Sequence, residues 1–193
     1  MARRTITRSW LVCIPNALSV LRLALAICFP FLPGVWRGPI ILLAGFSDAA
    51  DGFLARRWQL TSRLGGVLDA AADKLFSLSV LATLAWNDVI MLWQVALLLS
   101  RDIVVVAISI YIALRRRWRA FGHMPPRTLG KITTIAVFVY LLIITMLDQY
   151  PGYEMTRMMF FIIAAASSVL AAMDYLAQFV TRKDVVEREL NVA

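Results

Sequence analysis

The chain has 193 residues, 61% of them hydrophobic and 17% charged, and its mean hydropathy of +0.74 excludes a water-soluble surface. The net charge of +8 is scattered among apolar runs rather than gathered in a basic domain, which argues against nucleic-acid binding and for linkers that face the cytoplasm. The single histidine, His123, excludes sites that need two imidazoles, and Cys13 and Cys28 make no disulfide framework.

In chain order, Arg3, Arg4 and Arg8 beside Ile6 and Trp10 predict a short amphipathic helix at the interface, residues 1–13. A signal peptide is the competing reading, but Pro15, Asn16 and Arg22 interrupt the apolar core it would need. Six apolar segments follow, at about 14–32, 39–57, 64–86, 89–114, 129–147 and 155–180. A spanning helix takes roughly 20 residues, so six would use nearly the whole chain. The linkers carrying Arg56, Arg57, Arg63 and Arg115 to Arg119 are basic, whereas Arg37, Asp88, Asp148, Glu154 and Arg157 lie on the opposite side. The expectation is an all-α integral membrane protein with six transmembrane helices, residues 14–180, both termini cytoplasmic, and a charged cytoplasmic tail, 181–193.

Four aspartates do not belong in such segments: Asp48, Asp51, Asp69 and Asp73. Each costs at least about 2.5–3.5 kcal/mol inside a span, so a partner must offset them. On helices, Asp48, Asp51, Gly52 and Ala55 form one stripe and Gly65, Asp69 and Asp73 another, on segments joined by a short turn. Carboxylates this crowded select a hard divalent cation, Mg²⁺, Mn²⁺ or Ca²⁺, and four of them suit a two-metal site. Gly52 and Gly65 would let a ligand approach the backbone, or serve helix packing. Arg56 offers a planar fork to phosphate, or anchors the linker. The competing account of the acids is ion pairing with Arg22, Lys74 or Arg101 without metal.

Written out, Asp48-Ala-Ala-Asp51-Gly52-Phe-Leu-Ala55-Arg56, eight residues, then Gly65-Gly-Val-Leu-Asp69-Ala-Ala-Ala-Asp73 resembles the signature of the CDP-alcohol phosphotransferase family, D-x-x-D-G-x-x-A-R followed by G-x-x-x-D-x-x-x-D. All eight fixed positions match within 26 residues. The resemblance implies an enzyme that transfers the phosphatidyl group of CDP-diacylglycerol to an alcohol, with release of CMP. It implies that Asp48, Asp51 and Asp69 ligate metal, two divalent cations, Mg²⁺ or Mn²⁺, and that Asp73 is both a second-metal ligand and the catalytic proton acceptor. It further implies that Gly52, Arg56 and Ser62 hold the cytidine diphosphate moiety, that Asn16 closes over the pyrimidine, and that the protein is a homodimer in a bacterial cytoplasmic membrane with its active site facing the cytoplasm.

Arg101, Arg127 and Lys131 add cationic groups suited to an acceptor that carries its own phosphate. The start of the fifth segment, Gly130-Lys131-Ile-Thr133-Thr134, looks like that of the family's phosphatidylglycerophosphate synthases, so glycerol 3-phosphate is the expected acceptor. Arg101-Asp102 is closer to the cardiolipin synthases, which makes phosphatidylglycerol the alternative. An ion-coupled transporter is the reading from a different class. It predicts charges at the midplane and an internal repeat, and the sequence has its acids toward one face and no repeat.

Overall fold

The computed structural model describes residues 17–58, 63–114, 128–148, 150 and 152–190, with side chains for all of these except 49, 51–58, 63–68, 70, 112–113 and 182–190. The interfacial segment 1–13, Asn16, Ser62, His123 and Arg127 therefore lie outside the described residues, as do the side chains of Asp51 and Arg56. Every regular element among the described residues is helical. They are α1 (Ala17–Phe31), α2 (Gly34–Trp58), α3 (Arg63–Trp86), α4 (Leu92–Leu98), α5 (Ser100–Leu114), α6 (Thr128–Leu147) and α7 (Glu154–Leu190).

The chain divides into two compact units, Met1–Ile90 with Leu141–Pro151, and Met91–Tyr140 with Gly152–Ala193. In the first unit, α1 tightens into a 3₁₀ turn at Phe29–Phe31 and ends where Leu32 turns extended, as Pro30 and Pro33 require. Phe29 is fully buried and meets Phe76 of α3 edge to face, with ring centroids 5.8 Å apart. Ser79 of α3 donates its hydroxyl to the Ala26 carbonyl at 2.5 Å. Gly38 of α2 lies against Met146 at the end of α6: an added Cβ would come within 2.7 Å of the Met146 sulfur. The C-terminus of α3 is a Schellman closure: Val89 N–H donates to Leu84 O at 3.0 Å and Asp88 N–H to Ala85 O at 3.2 Å, with Asp88 left-handed at φ 57°.

In the second unit, α7 presents Ala164, Ala165, Ser168, Ala171 and Ala172, all buried, so that neighbouring helices pack closely. Trp93 of α4 meets Phe161 of α7 at 5.5 Å, and Tyr111 of α5 meets Phe179 at 5.4 Å, both edge to face. α4 and α5 bend by 60° at Leu99. A kink needs something to occupy the interrupted backbone ladder, and here it is a side chain. The Ser168 hydroxyl, 0% exposed, donates to Leu98 O at 2.8 Å and accepts from Ser100 Oγ at 3.2 Å and, more weakly, from Arg101 N–H at 3.4 Å.

The six-span expectation is corrected here. Among the described residues two helices are long and apolar enough to cross a membrane, α6 (Thr128–Leu147) and α7 over Glu154–Thr181, or three if the bent pair α4 and α5 counts as one. α1 falls short because its prolines end it. α2 and α3 reach 25 and 24 residues; Asp69, Asp73 and Lys74 break the apolar run of α3, and the side chains of 49 and 51–58 in the second half of α2 lie outside the described ones. The segment read as one span at 89–114 is broken at Leu99. The sixth apolar segment, 155–180, nearly coincides with the span Glu154–Thr181, and the helix itself continues through Leu190.

Candidate functional site

The site begins with one arginine. Arg22 of α1 is 1% exposed, a position at which an uncompensated charge costs several kcal/mol. Its Nη1 lies 2.9 Å from Asp48 Oδ1 on α2 and 3.1 Å from Asp69 Oδ1 on α3. A single nitrogen thus joins two carboxylates from different helices. Ser19, one turn before Arg22 and also buried, adds a long hydrogen bond from Oγ to Asp69 Oδ1 at 3.4 Å. The aspartates are not sealed in with their partner, since their side chains are 50% and 43% exposed. Asp73, one helical turn beyond Asp69, lies within electrostatic reach of Asp48, Asp69, Lys74 and Arg22.

Local structure accounts for this gathering. α2 and α3 are continuous helices through both acidic stripes, so Asp69 and Asp73 at i, i+4 share a face of α3. α1 carries Ser19 and Arg22 at i, i+3 toward Asp69. Asp48 and Asp69 meet one guanidinium, Asp73 lies within electrostatic reach of it and of Lys74, and Asp51 adds a fourth acid to the same stretch of sequence.

As a donor set for metal, the residues fit a hard divalent ion: every donor is a carboxylate oxygen, and no thiol or imidazole accompanies them. Among the described residues no three acidic, histidine or cysteine side chains already converge on one point. The Asp51 side chain lies outside the described ones. Of the basic partners considered for the acids, Arg22 takes that place directly for two of them.

Of the remaining expected site residues, Gly52 and Arg56 lie on α2 and Gly65 on α3. Arg101 belongs to the second unit. Its Nη1 donates to Thr134 Oγ1 at 3.0 Å, its guanidinium carbon stands 5.9 Å from the centroid of the Tyr175 ring, and its buried Nε has no hydrogen-bond partner among the described residues. Gly130 makes room for this group: a Cβ there would come within 3.1 Å of Tyr175 Oη and 3.2 Å of Arg101 Nη2. Lys131 is exposed at the start of α6.

Sequence reasoning missed Ser19 as a site residue and considered Arg22 only as a competitor for the acids. The available signal was an arginine inside an apolar segment, one helical turn beyond Ser19 at i−3. It also missed Tyr175 and Ser168, for which an apolar helix carries no local signal.

The family model described as CDP-alcohol phosphatidyltransferase matches residues 12–174 of this chain. Among similar proteins, the "Cardiolipin synthase (CMP-forming)" of Streptomyces coelicolor is 38% identical over 133 residues, covering 63% of this chain and 59% of that protein. The human protein of the same description is 35% identical over 124 residues, 61% of this chain and 39% of its own length. The "CDP-diacylglycerol--glycerol-3-phosphate 3-phosphatidyltransferase" of Pectobacterium atrosepticum is 33% identical over 133 residues, 64% of this chain and 65% of that protein. In each case less than two thirds of the relative is spanned.

Proposed function

The chain belongs to the CDP-alcohol phosphatidyltransferase family, and on that premise we propose that it transfers the phosphatidyl group of CDP-diacylglycerol to a hydroxyl of phosphatidylglycerol, forming cardiolipin and releasing CMP. The observation that supports a transferase centre is the meeting of Asp48 and Asp69 on Arg22 with Asp73 close by, in a half-exposed position on the matched signature. The similarity to cardiolipin synthases and the Arg101-Asp102 pair support this choice of acceptor over the glycerol 3-phosphate first expected. Glycerol 3-phosphate is the second reading, favoured by the Pectobacterium relative and the Gly130-Lys131 start of α6.

In this reading Asp48, Asp51, Asp69 and Asp73 hold two divalent cations, Mg²⁺ or Mn²⁺. Such ions, when bound, neutralise pyrophosphate charge and stabilise the CMP leaving group. Asn16, Gly52, Ser62 and Gly65 hold the cytidine diphosphate moiety, and Arg56 pairs with its phosphate oxygens. Asp73 accepts the proton of the acceptor hydroxyl as its oxygen bonds to the phosphatidyl phosphorus. The bond from that phosphorus to the CMP oxygen breaks, and CMP leaves with the bonding electrons. Arg101, Arg127 and Lys131 bind the phosphate the acceptor already carries. Arg56 and Arg57 at the end of α2 and Arg63 at the start of α3 support a cytoplasmic position for the acidic end.

The test offers the purified full chain CDP-diacylglycerol and Mn²⁺ with phosphatidylglycerol, glycerol 3-phosphate, inositol phosphate or serine in turn, and scores CMP release and the lipid formed. Cardiolipin from phosphatidylglycerol is expected. Phosphatidylglycerophosphate formed from glycerol 3-phosphate alone overturns the acceptor assignment, and no CMP release with any acceptor overturns the transferase reading.

A further inference from the structure

The aspartates at the signature do not stand alone; behind them is a charge that the signature does not contain. Arg22 lies on α1, 47 residues from Asp69, and is nearly inaccessible, whereas the acids it holds are about half exposed. The guanidinium is thus on the protein side of both carboxylates. It engages Oδ1 of each, and each carboxylate has a second oxygen with which to meet a cation from outside. Acids on two different helices would repel if ionised without such a tie, and each side chain would sample several rotamers. Ser19, from the same face of α1, adds a second contact to Asp69.

We infer that Arg22 is a positioning residue for the metal centre: one buried guanidinium orients the Asp48 and Asp69 carboxylates so that their outer oxygens are set for a divalent cation. The inference rests on the metal reading given under Proposed function. Groups that orient ligating carboxylates from behind usually set metal affinity by about 10–100-fold, because without them the ligands must be ordered when the ion binds. The opposing possibility is that the guanidinium occupies the cation's own place and competes with it. The two differ in sign.

The experiment measures Mn²⁺ affinity without turnover, by electron paramagnetic resonance of free Mn²⁺ titrated into the full chain in lipid nanodiscs. Arg22→Met should raise Kd by about 10-fold or more, and Arg22→Lys, which keeps the charge, should raise it less. An unchanged or lower Kd in Arg22→Met overturns the inference, as does a purely structural outcome in which the melting temperature falls but Kd does not move. If the Met variant does not fold, Arg22→Gln is read by the same criteria. Asp69→Asn separates the two readings. If it abolishes Mn²⁺ binding while Arg22→Met leaves binding intact, only the role of Arg22 fails. If the unmodified chain binds no Mn²⁺, the metal reading fails and takes this inference with it.

Discussion

Replacing Ser168 by alanine tests how the second unit is held together. The hydroxyl is 0% exposed and donates to the carbonyl of Leu98, itself 2% exposed, at the point where α4 and α5 bend. Removing it strands that carbonyl and takes an acceptor from Ser100 Oγ. A buried polar group left without a partner costs about 1–3 kcal/mol in soluble proteins. Side-chain hydrogen bonds between membrane helices average about 0.6 kcal/mol and reach about 1.7. The upper part of the membrane range applies here, because a carbonyl at a helix break cannot return to a ladder that is interrupted beside it. The 3.4 Å contact to Arg101 N–H adds little. The expected loss is about 1–2 kcal/mol, which for a chain of this size lowers the melting temperature by about 2–8 °C. Ser167→Ala is the control, since the Ser167 hydroxyl donates only to the Ala164 carbonyl of its own helix at 2.8 Å. Differential scanning fluorimetry at one scan rate, in one detergent, reads both. Equal melting temperatures for the two variants would refute the idea that Ser168 pins the bend.

Three further outcomes follow from the same geometry. Gly38→Ala should change the stability of the first unit by less than about 1 kcal/mol, because its Cβ meets only the far end of the flexible Met146 side chain, which can move aside, while alanine gains helix propensity; a melting temperature lowered by more than about 8 °C would contradict that. Asp73→Asn should reduce CMP release by about 100-fold or more while leaving the melting temperature within a few degrees, since it removes the proposed base and keeps the shape. Arg101→Lys loses the fork that reaches Thr134 and faces Tyr175; it should raise KM for the acceptor about 10-fold and leave KM for CDP-diacylglycerol unchanged. An equal rise in both would show that Arg101 does not act through the acceptor.

How much of this could be read from residues alone differs by element. The helix at Arg63–Trp86 nearly coincides with the apolar segment at 64–86, and Thr128–Leu147 with 129–147, because apolar runs bounded by charge mark helices well. Treating every such run as a membrane crossing failed, since helix length and apolar length diverge in α3, where Asp69, Asp73 and Lys74 interrupt the run, and at the Leu99 break. The break at Leu99 was not legible: Met91 to Leu99 contains neither glycine nor proline. The group that occupies the break comes from Ser168, 70 residues from Leu98. Such a tertiary contact leaves no trace in local periodicity. The acidic stripes were visible because four carboxylates at helical spacing are costly in an apolar context. Their common partner was not, because Arg22 is a single charge in a distant segment and only the packing of α1 brings it to both acids.

The central claim is that these carboxylates form a divalent-dependent centre for transfer from a CDP-activated lipid. The most direct measurement is CMP release from CDP-diacylglycerol and phosphatidylglycerol by the full chain in nanodiscs, first stripped with EDTA and then titrated with Mn²⁺ or Mg²⁺. Release should be absent after stripping and restored in a saturable way by either ion. CMP release that persists undiminished in excess chelator would contradict the account.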